Sequence, residues 1–246
     1  MSIDINSDMG ELNHLLADGT YEKLMDHVTS INVACGGHAG DPEMMNVMVA
    51  LAKSKGVKLG AHPSFADKEN FGREVIEDFD PNELLDSIRD QIETLVDIAS
   101  EHEMELSHVK PHGALYNLAV NNEEISQTIA EAIIDVNSSF KAVGLAGSKM
   151  ITVFDELGLD VISESYVDRM YEADGTLRSR KFDDALITDP EKAANQMKSM
   201  LNGNIVAVDG TELQVKIQSV CVHSDTPNAV EIAAAVKNQL DQSVSD

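Results

Sequence analysis

DPNELLDSIRDQIETLVDIASEHEMELSHVKPHG, residues 80–113, is the stretch that decides the fold. It opens on Asp80-Pro81, a carboxylate able to cap free helix amides followed by a proline at a position that needs no N–H. Leu84, Leu85, Ile88, Ile92, Leu95, Val96 and Ala99 then recur at helical spacing and trace one apolar stripe. Leu106–Lys110 follows as a short strand, and Pro111-His112-Gly113 stops it. The segment is a helix feeding a strand whose C-terminal end carries Lys and His.

The same pattern extends in both directions. Asp41-Pro42, Asp189-Pro190 and Thr226-Pro227 repeat the helix-start signal, and Val230, Ile232, Ala233, Val236 and Leu240 repeat the stripe after Thr226. Strand-like runs stand at Ile3–Asn6, Ile31–Cys35, Val57–Ala61, Ala142–Leu145, Val161–Ser163, Ile205–Val208 and Val220–His223. Alternation of this kind builds a parallel sheet with helices outside it. Asp209-Gly210, between Ile205–Val208 and Leu213–Ile217, reads as a hairpin turn instead. The expected fold is α/β, one domain over residues 1–246: a TIM-like parallel (β/α) barrel of seven or eight strands. An open doubly wound sheet is the competing arrangement.

Composition narrows the function. Net charge is −25 and aromatics are 4% with no Trp, which argues against nucleic acid and anionic membrane surfaces. No run approaches the ~18 apolar residues of a membrane span. The acidic start MSIDINSDMGE does not read as a signal peptide, and two cysteines, Cys35 and Cys221, form no metal or redox motif. A reducing cytoplasm is expected. Both cysteines fall inside strand patterns and read as buried packing, and Met44, Met45 and Met48 read as core.

Ionisable residues cluster just past the strand runs, and in a parallel barrel all these ends share one face. Asp8 is the candidate base, and Glu11 either clamps a cation or substrate or caps its loop. His38 lies in the glycine-rich loop Gly36–Asp41, which reads as an anion-binding turn or a tight βα turn; it is not a phosphate loop of Walker type. His38, His62, His112 and His223 at the same rim suit either a divalent metal, with Asp8, or acid–base work. Lys110, costly to bury unpaired, either contacts substrate or pairs with Asp8 or Glu164. Asp168, Arg169, Arg178 and Arg180 concentrate charge in the long loop Glu164–Thr188, where the arginines either clamp a carboxylate or phosphate or form surface pairs.

DINSDMGE, NVACGGHAGDPEMM, GAHPSFAD with FGRE, VKPHGALYN, SYVDRMYEADGTLRSR and VCVHSDTPNA, in this order, resemble the LamB/YcsF family from Asp4 to about Ala229. Asp8, Glu11, His38, His62, Lys110, His112, Asp168, Arg169, His223 and Asp225 match its charged positions. Ser7 stands where Cys is usual, Gly37 where an aromatic is, Ser224 where Gly is, and Asp184-Ala185 where Gly-Ala is. The resemblance implies a barrel of the glycoside hydrolase/deacetylase type. It also implies hydrolysis of 5-oxo-L-proline to L-glutamate, driven by ATP as its Mg2+ complex, by an A subunit working with subunits B and C.

On that reading Asp8 or Asp168 positions water, and His112 or His62 handles the proton. Lys110 and Arg169 hold anionic oxygens, and Glu11, His38, Glu164, Arg180, His223 and Asp225 contact substrate. Lys110→Ala is then expected to slow turnover about 100-fold and spare the fold. ATP binds either the Gly36–Asp41 loop or a partner subunit. A stand-alone metal-dependent hydrolase or deacetylase, acting on a small amide or carbohydrate, is the alternative.

Overall fold

In the computed structural model, which describes residues 3–76 and 79–245, β1 (Asp4–Met9), β2 (Ser30–Ala34), β3 (Lys58–His62), β4 (Leu106–Val109), β5 (Lys141–Leu145) and β6 (Val161–Tyr166) pair in sequence, all parallel. The hairpin strands β7 (Asn204–Val206) and β8 (Glu212–Gln214) pair only with each other, antiparallel. The final strand β9 (Ser219–Cys221) lies between β6 and β1, with Ser219 opposite both Glu164 and Asp4, and closes a seven-stranded barrel. The closed barrel with a separate hairpin is the arrangement expected from the sequence; the open sheet is excluded.

Around the barrel run α1 (Asn13–Ala17), α2 (Thr20–Met25), α3 (Pro42–Lys55), α4 (Pro81–Glu101), α5 (Gly113–Ala119), α6 (Glu123–Asn137), α7 (Lys149–Glu156), α8 (Pro190–Leu201) and α9 (Ala229–Ser245). Asp41, Asp80 and Asp189 each accept backbone N–H bonds at the starts of α3, α4 and α8. Thr226-Pro227 departs from this rule. Asn228 takes a positive φ of 63°, α9 begins at Ala229, and the Thr226 hydroxyl donates to Asp168 instead. The apolar stripe of α4 is buried at Leu84, Ile88, Ile92, Leu95 and Ala99, and Met44, Met45 and Met48 pack in the core. Among the described residues no helix is long and apolar enough to cross a membrane.

Three strands run further than the sequence pattern marks, β3 by one residue, to His62. β1 continues through Asp8 to Met9 and β6 through Glu164 to Tyr166, so polar residues read as post-strand loops stand inside the barrel. Barrel interiors are usually filled by branched apolar side chains. Here Asn6 donates to Glu164 and Ser219, Asn32 donates to Asn6 and Asp8, and His108 Nε2 lies 2.7 Å from Asn32 Oδ1. Each of these side chains thereby keeps a partner, the condition on which such groups are tolerated inside. Gly60 makes room for this plug: a Cβ there would run into the His108 ring.

Candidate active site

The C-terminal ends of the strands open on a cavity of about 520 Å³, lined among others by Asp8, Glu11, His62, Arg73, Lys110, His112, Tyr116, Tyr166, Arg169, Arg180 and His223. Distant segments therefore converge on one mouth. Of the residues singled out from sequence, His38, Glu164, Asp168 and Asp225 stand behind the cavity wall and hold residues that line it.

The floor is a buried charge cluster. Lys110 Nζ lies 2.9 Å from Glu164 Oε1 and 3.0 Å from Asp8 Oδ1, and it also reaches Asn6 Oδ1 and Cys221 Sγ. Tyr116 donates its hydroxyl to the other Glu164 oxygen at 3.0 Å. Burial works against charge on Asp8, but His62 and Lys110 outweigh it and hold the carboxyl well below its ordinary range. Lys110 is likewise desolvated, yet its carboxylates keep its ammonium form strongly favoured. Of the two readings open for Lys110, ion pairing is realised, and with both carboxylates.

Beside it stand three imidazoles and a carboxylate. His62 Nε2 is 2.9 Å from His112 Nδ1, and Glu11 Oε1 is 3.1 Å from His112 Nδ1, 2.9 Å from His38 Nε2 and 3.8 Å from His62 Nε2. The other ring nitrogens meet backbone carbonyls: His62 Nδ1 at Lys110 O, 2.7 Å, and His112 Nε2 at Phe71 O, 3.0 Å. His38 stacks on His112 with ring centroids 3.6 Å apart, and burial pushes its pKa down to about 3. Glu11, His38, His62 and His112 form a donor set that can hold a metal ion.

On the opposite wall, Asp168 is fully buried. Both its oxygens face His223 Nδ1, and one also accepts from the His223 N–H and the Thr226 hydroxyl. His223 stacks on Tyr166 and lines the cavity. Asp168 is thus an orienting group for His223, with no free oxygen for water. Above them, the loop after β6 folds back on itself through bridges Arg169–Leu186 and Tyr171–Leu177. Arg169 donates to Arg178 O, and its buried Nε has no partner. Asp225 bridges Arg73 at 2.6 Å and Arg180 at 3.3 Å. Arg178 turns to Glu172 and Asp184, away from the mouth.

Sequence reasoning does not single out Arg73, Tyr116 or Tyr166, although Arg73 stands in the FGRE block. Its pairing with Asp225 joins residues 152 apart, which no local pattern reports. In the Gly36–Asp41 loop, Asp41 accepts from Met44 N–H and Pro42 has none to give, so two of the first amides of α3 are not open to a phosphate. Gly37 lies against Gln91 and Ser64, leaving no space for an aromatic, and the Ser224 hydroxyl donates to the backbone carbonyl of Asp8. Both cysteines are buried; the Cys35 thiol is pushed up to about 12 by burial, and Cys221 is raised as well.

A closed parallel barrel whose ionisable groups meet at the C-terminal mouth is the architecture of a (β/α)-barrel enzyme. More particularly, the chain belongs to the LamB/YcsF family, whose model matches residues 3–245. It is 42% identical over 98% of its length to a protein named as the A subunit of 5-oxoprolinase from Chloroflexus aggregans, covering 96% of that protein. A protein of the same name from Pyrococcus furiosus is 40% identical, with 98% of this chain and 95% of that one covered. The crystal structure of a lactam utilization protein from Thermus thermophilus superposes with a TM-score of 0.90 at 37% identity, covering 99% and 98% of the two chains.

Proposed function

We propose that this chain is the A subunit of a 5-oxoprolinase, hydrolysing 5-oxo-L-proline to L-glutamate with ATP as co-substrate and with subunits B and C as partners. The observation that carries it is the whole-length identity of about 40% to relatives bearing that name. The mouth supports it: a small cyclic amide with one carboxylate fits a cavity of this size, which pairs a cationic rim with buried carboxylates.

The chemistry follows from the substrate. A five-membered lactam is a stable amide, and transfer of a phosphoryl group to its oxygen, with loss of the N–H proton, makes its carbon electrophilic. Water then adds to that carbon, the ring C–N bond breaks as nitrogen takes up a proton, and a second water releases phosphate from the acyl phosphate left behind. Asp8, kept ionised by Lys110 and His62, is the base that takes the proton of the attacking water. His223, held by Asp168, is the acid at the ring nitrogen. Arg169, with its unpartnered Nε, and Arg180 hold the substrate carboxylate. Lys110 faces the charge that builds on the phosphorylated oxygen.

Because Asp41 caps Met44 N–H and Pro42 offers no N–H at the start of α3, and the chain carries no Walker-type loop, the nucleotide, as its Mg2+ complex, is assigned to the partner subunits. An ATP-fuelled reaction of this kind belongs in the cytoplasm. The test is glutamate release from 5-oxoproline by the purified chain alone and mixed with B and C. ATP-dependent release only in the mixture is the expected result, and no release in any combination overturns the proposal. The stand-alone hydrolase reading rests on the Glu11–His62–His112 donor set; it requires turnover of an amide or acetylated sugar by the chain alone, without ATP.

A further inference from the structure

We propose that Glu11, His62 and His112 form a divalent-metal site, of the kind zinc or cobalt occupies, at the cavity wall beside Asp8. Lys110 O and Phe71 O are acceptors, so the nitrogens facing them, His62 Nδ1 and His112 Nε2, carry the protons in the neutral rings. The remaining nitrogens, His62 Nε2 and His112 Nδ1, converge at 2.9 Å, with the Glu11 carboxylate 3.1 Å from the second. Two ring nitrogens and a carboxylate oxygen thus converge at the cavity wall, where a divalent cation would take the place of the proton between His62 Nε2 and His112 Nδ1.

The spacing suits an ion. With Zn–N near 2.0–2.1 Å, the ligand atoms of a tetrahedral site stand about 3.3 Å apart. The three contacts here are 2.9, 3.1 and 3.8 Å. The His62 and His112 rings are nearly perpendicular, at 87°, so their nitrogens converge. The outer shell is also complete. Metal-bound histidines usually give their second N–H to a carbonyl and metal-bound carboxylates are themselves hydrogen-bonded; here both histidines do the former and His38 Nε2 supplies the latter at 2.9 Å. His38 belongs to that outer shell, because its ring lies parallel to His112 at 3.6 Å and cannot aim its lone pair at the same ion. The neighbouring donors Asp8, Cys221 and His223 also approach one another, but Lys110 Nζ already supplies a cation to Asp8 and Cys221.

Three protein ligands at a cavity wall leave a position open to the cavity, the pattern of a site that binds substrate or water rather than a structural one. This deepens the reading of the same mouth, yet stands on geometry that does not depend on the substrate.

The test uses the full-length chain, free of any histidine tag and stripped with a chelator, then titrated with Co2+ and with Zn2+. The expected result is one Co2+ per chain with visible ligand-field bands, and a melting temperature raised by Zn2+. His62→Ala and His112→Ala should weaken Co2+ binding by more than about 100-fold, and His38→Gln by about tenfold. The exposed His14→Ala should leave it unchanged. Uptake by the wild type no greater than by His62→Ala overturns the proposal. If the variants fail to fold, the wild type decides: no Zn2+ effect on melting and no cobalt bands also overturn it. Metal uptake without glutamate release from the mixture with B and C would sink the 5-oxoprolinase reading and leave the metal site standing; glutamate release by the mixture with no Co2+ or Zn2+ uptake by the chain would do the reverse.

Discussion

Lys110 Nζ lies 3.0 Å from Asp8 Oδ1, and both side chains are buried at the floor of the cavity. With Glu164 at 2.9 Å on the other side, one ammonium is shared by two carboxylates that the barrel interior hydrates poorly. Removing one partner of such a pair leaves uncompensated charge and costs roughly 3–5 kcal/mol.

Lys110→Ala is therefore expected to lower unfolding free energy by that amount, measured by urea denaturation, as well as to slow turnover. This revises the expectation from sequence that the substitution would spare the fold. Lys110→Met, which refills the volume but not the charge, should be nearly as damaging, and adding Glu164→Gln should recover part of the loss. A Lys110→Ala variant within about 1 kcal/mol of wild type would show that the cluster contributes little to stability.

Asp168 gives the pH prediction. Burial alone would raise its pKa, but His223 and Thr226 outweigh burial and hold it below the ordinary value. A carboxyl depressed in the folded state adds stability above its unfolded pKa, and that stability drains away as pH falls through the folded value. Wild type should exceed Asp168→Asn in stability at neutral pH, and the gap should close progressively below about pH 4. Denaturant titrations of both proteins across that range measure it. A gap that widens on acidification would contradict the assignment.

Much of the fold is readable from sequence because it is written locally. Asp41, Asp80 and Asp189 cap helices beside prolines, as their dipeptides indicate, and strand–helix alternation yields the parallel barrel once seven strands meet. Thr226-Pro227 carries the same signal yet does not cap, since the Asp168 carboxylate takes its hydroxyl from 58 residues away. The polar plug of Asn6, Asn32 and His108 escapes a sequence reading for a similar reason. Inward phase on a strand becomes informative only after the barrel closes, and a run such as Asn6-Ser7-Asp8 reads as loop until Asn32 and Lys110 supply partners. Which rim residues touch the cavity and which stand behind it is a tertiary property, so Glu164 and Asp168 can be named from sequence but not placed.

Arg169 tests the proposed carboxylate clamp. Its buried Nε is unpartnered, and desolvation together with nearby Arg180 disfavours its charge. Such a group is poorly satisfied until an anion arrives. Arg169→Gln should raise KM for 5-oxoproline in the reconstituted complex by roughly 10–100-fold, the worth of a charge-assisted pair. Its melting temperature should hold or rise, because an unfavourable burial is relieved. A large fall in stability with KM unchanged would assign Arg169 to the loop's framework instead.

Gly113 links the two halves of the mouth. Its φ is +54°, and a Cβ there would meet the carbonyl oxygen of Gly72. That carbonyl accepts the Ala114 N–H at 2.8 Å, and the adjoining Phe71 carbonyl faces His112 Nε2. Gly113→Ala thus combines left-handed strain of about 1 kcal/mol with a steric push on the loop that orients His112. Gly56 is the control: its φ is +67°, yet a Cβ there meets nothing within 4 Å. Gly56→Ala should cost only the strain, about 1 kcal/mol, with activity intact. Gly113→Ala should cost at least about twice as much and also slow turnover. Equal losses in the two variants, with turnover preserved in both, would mean that the Gly72–Gly113 approach does not position His112.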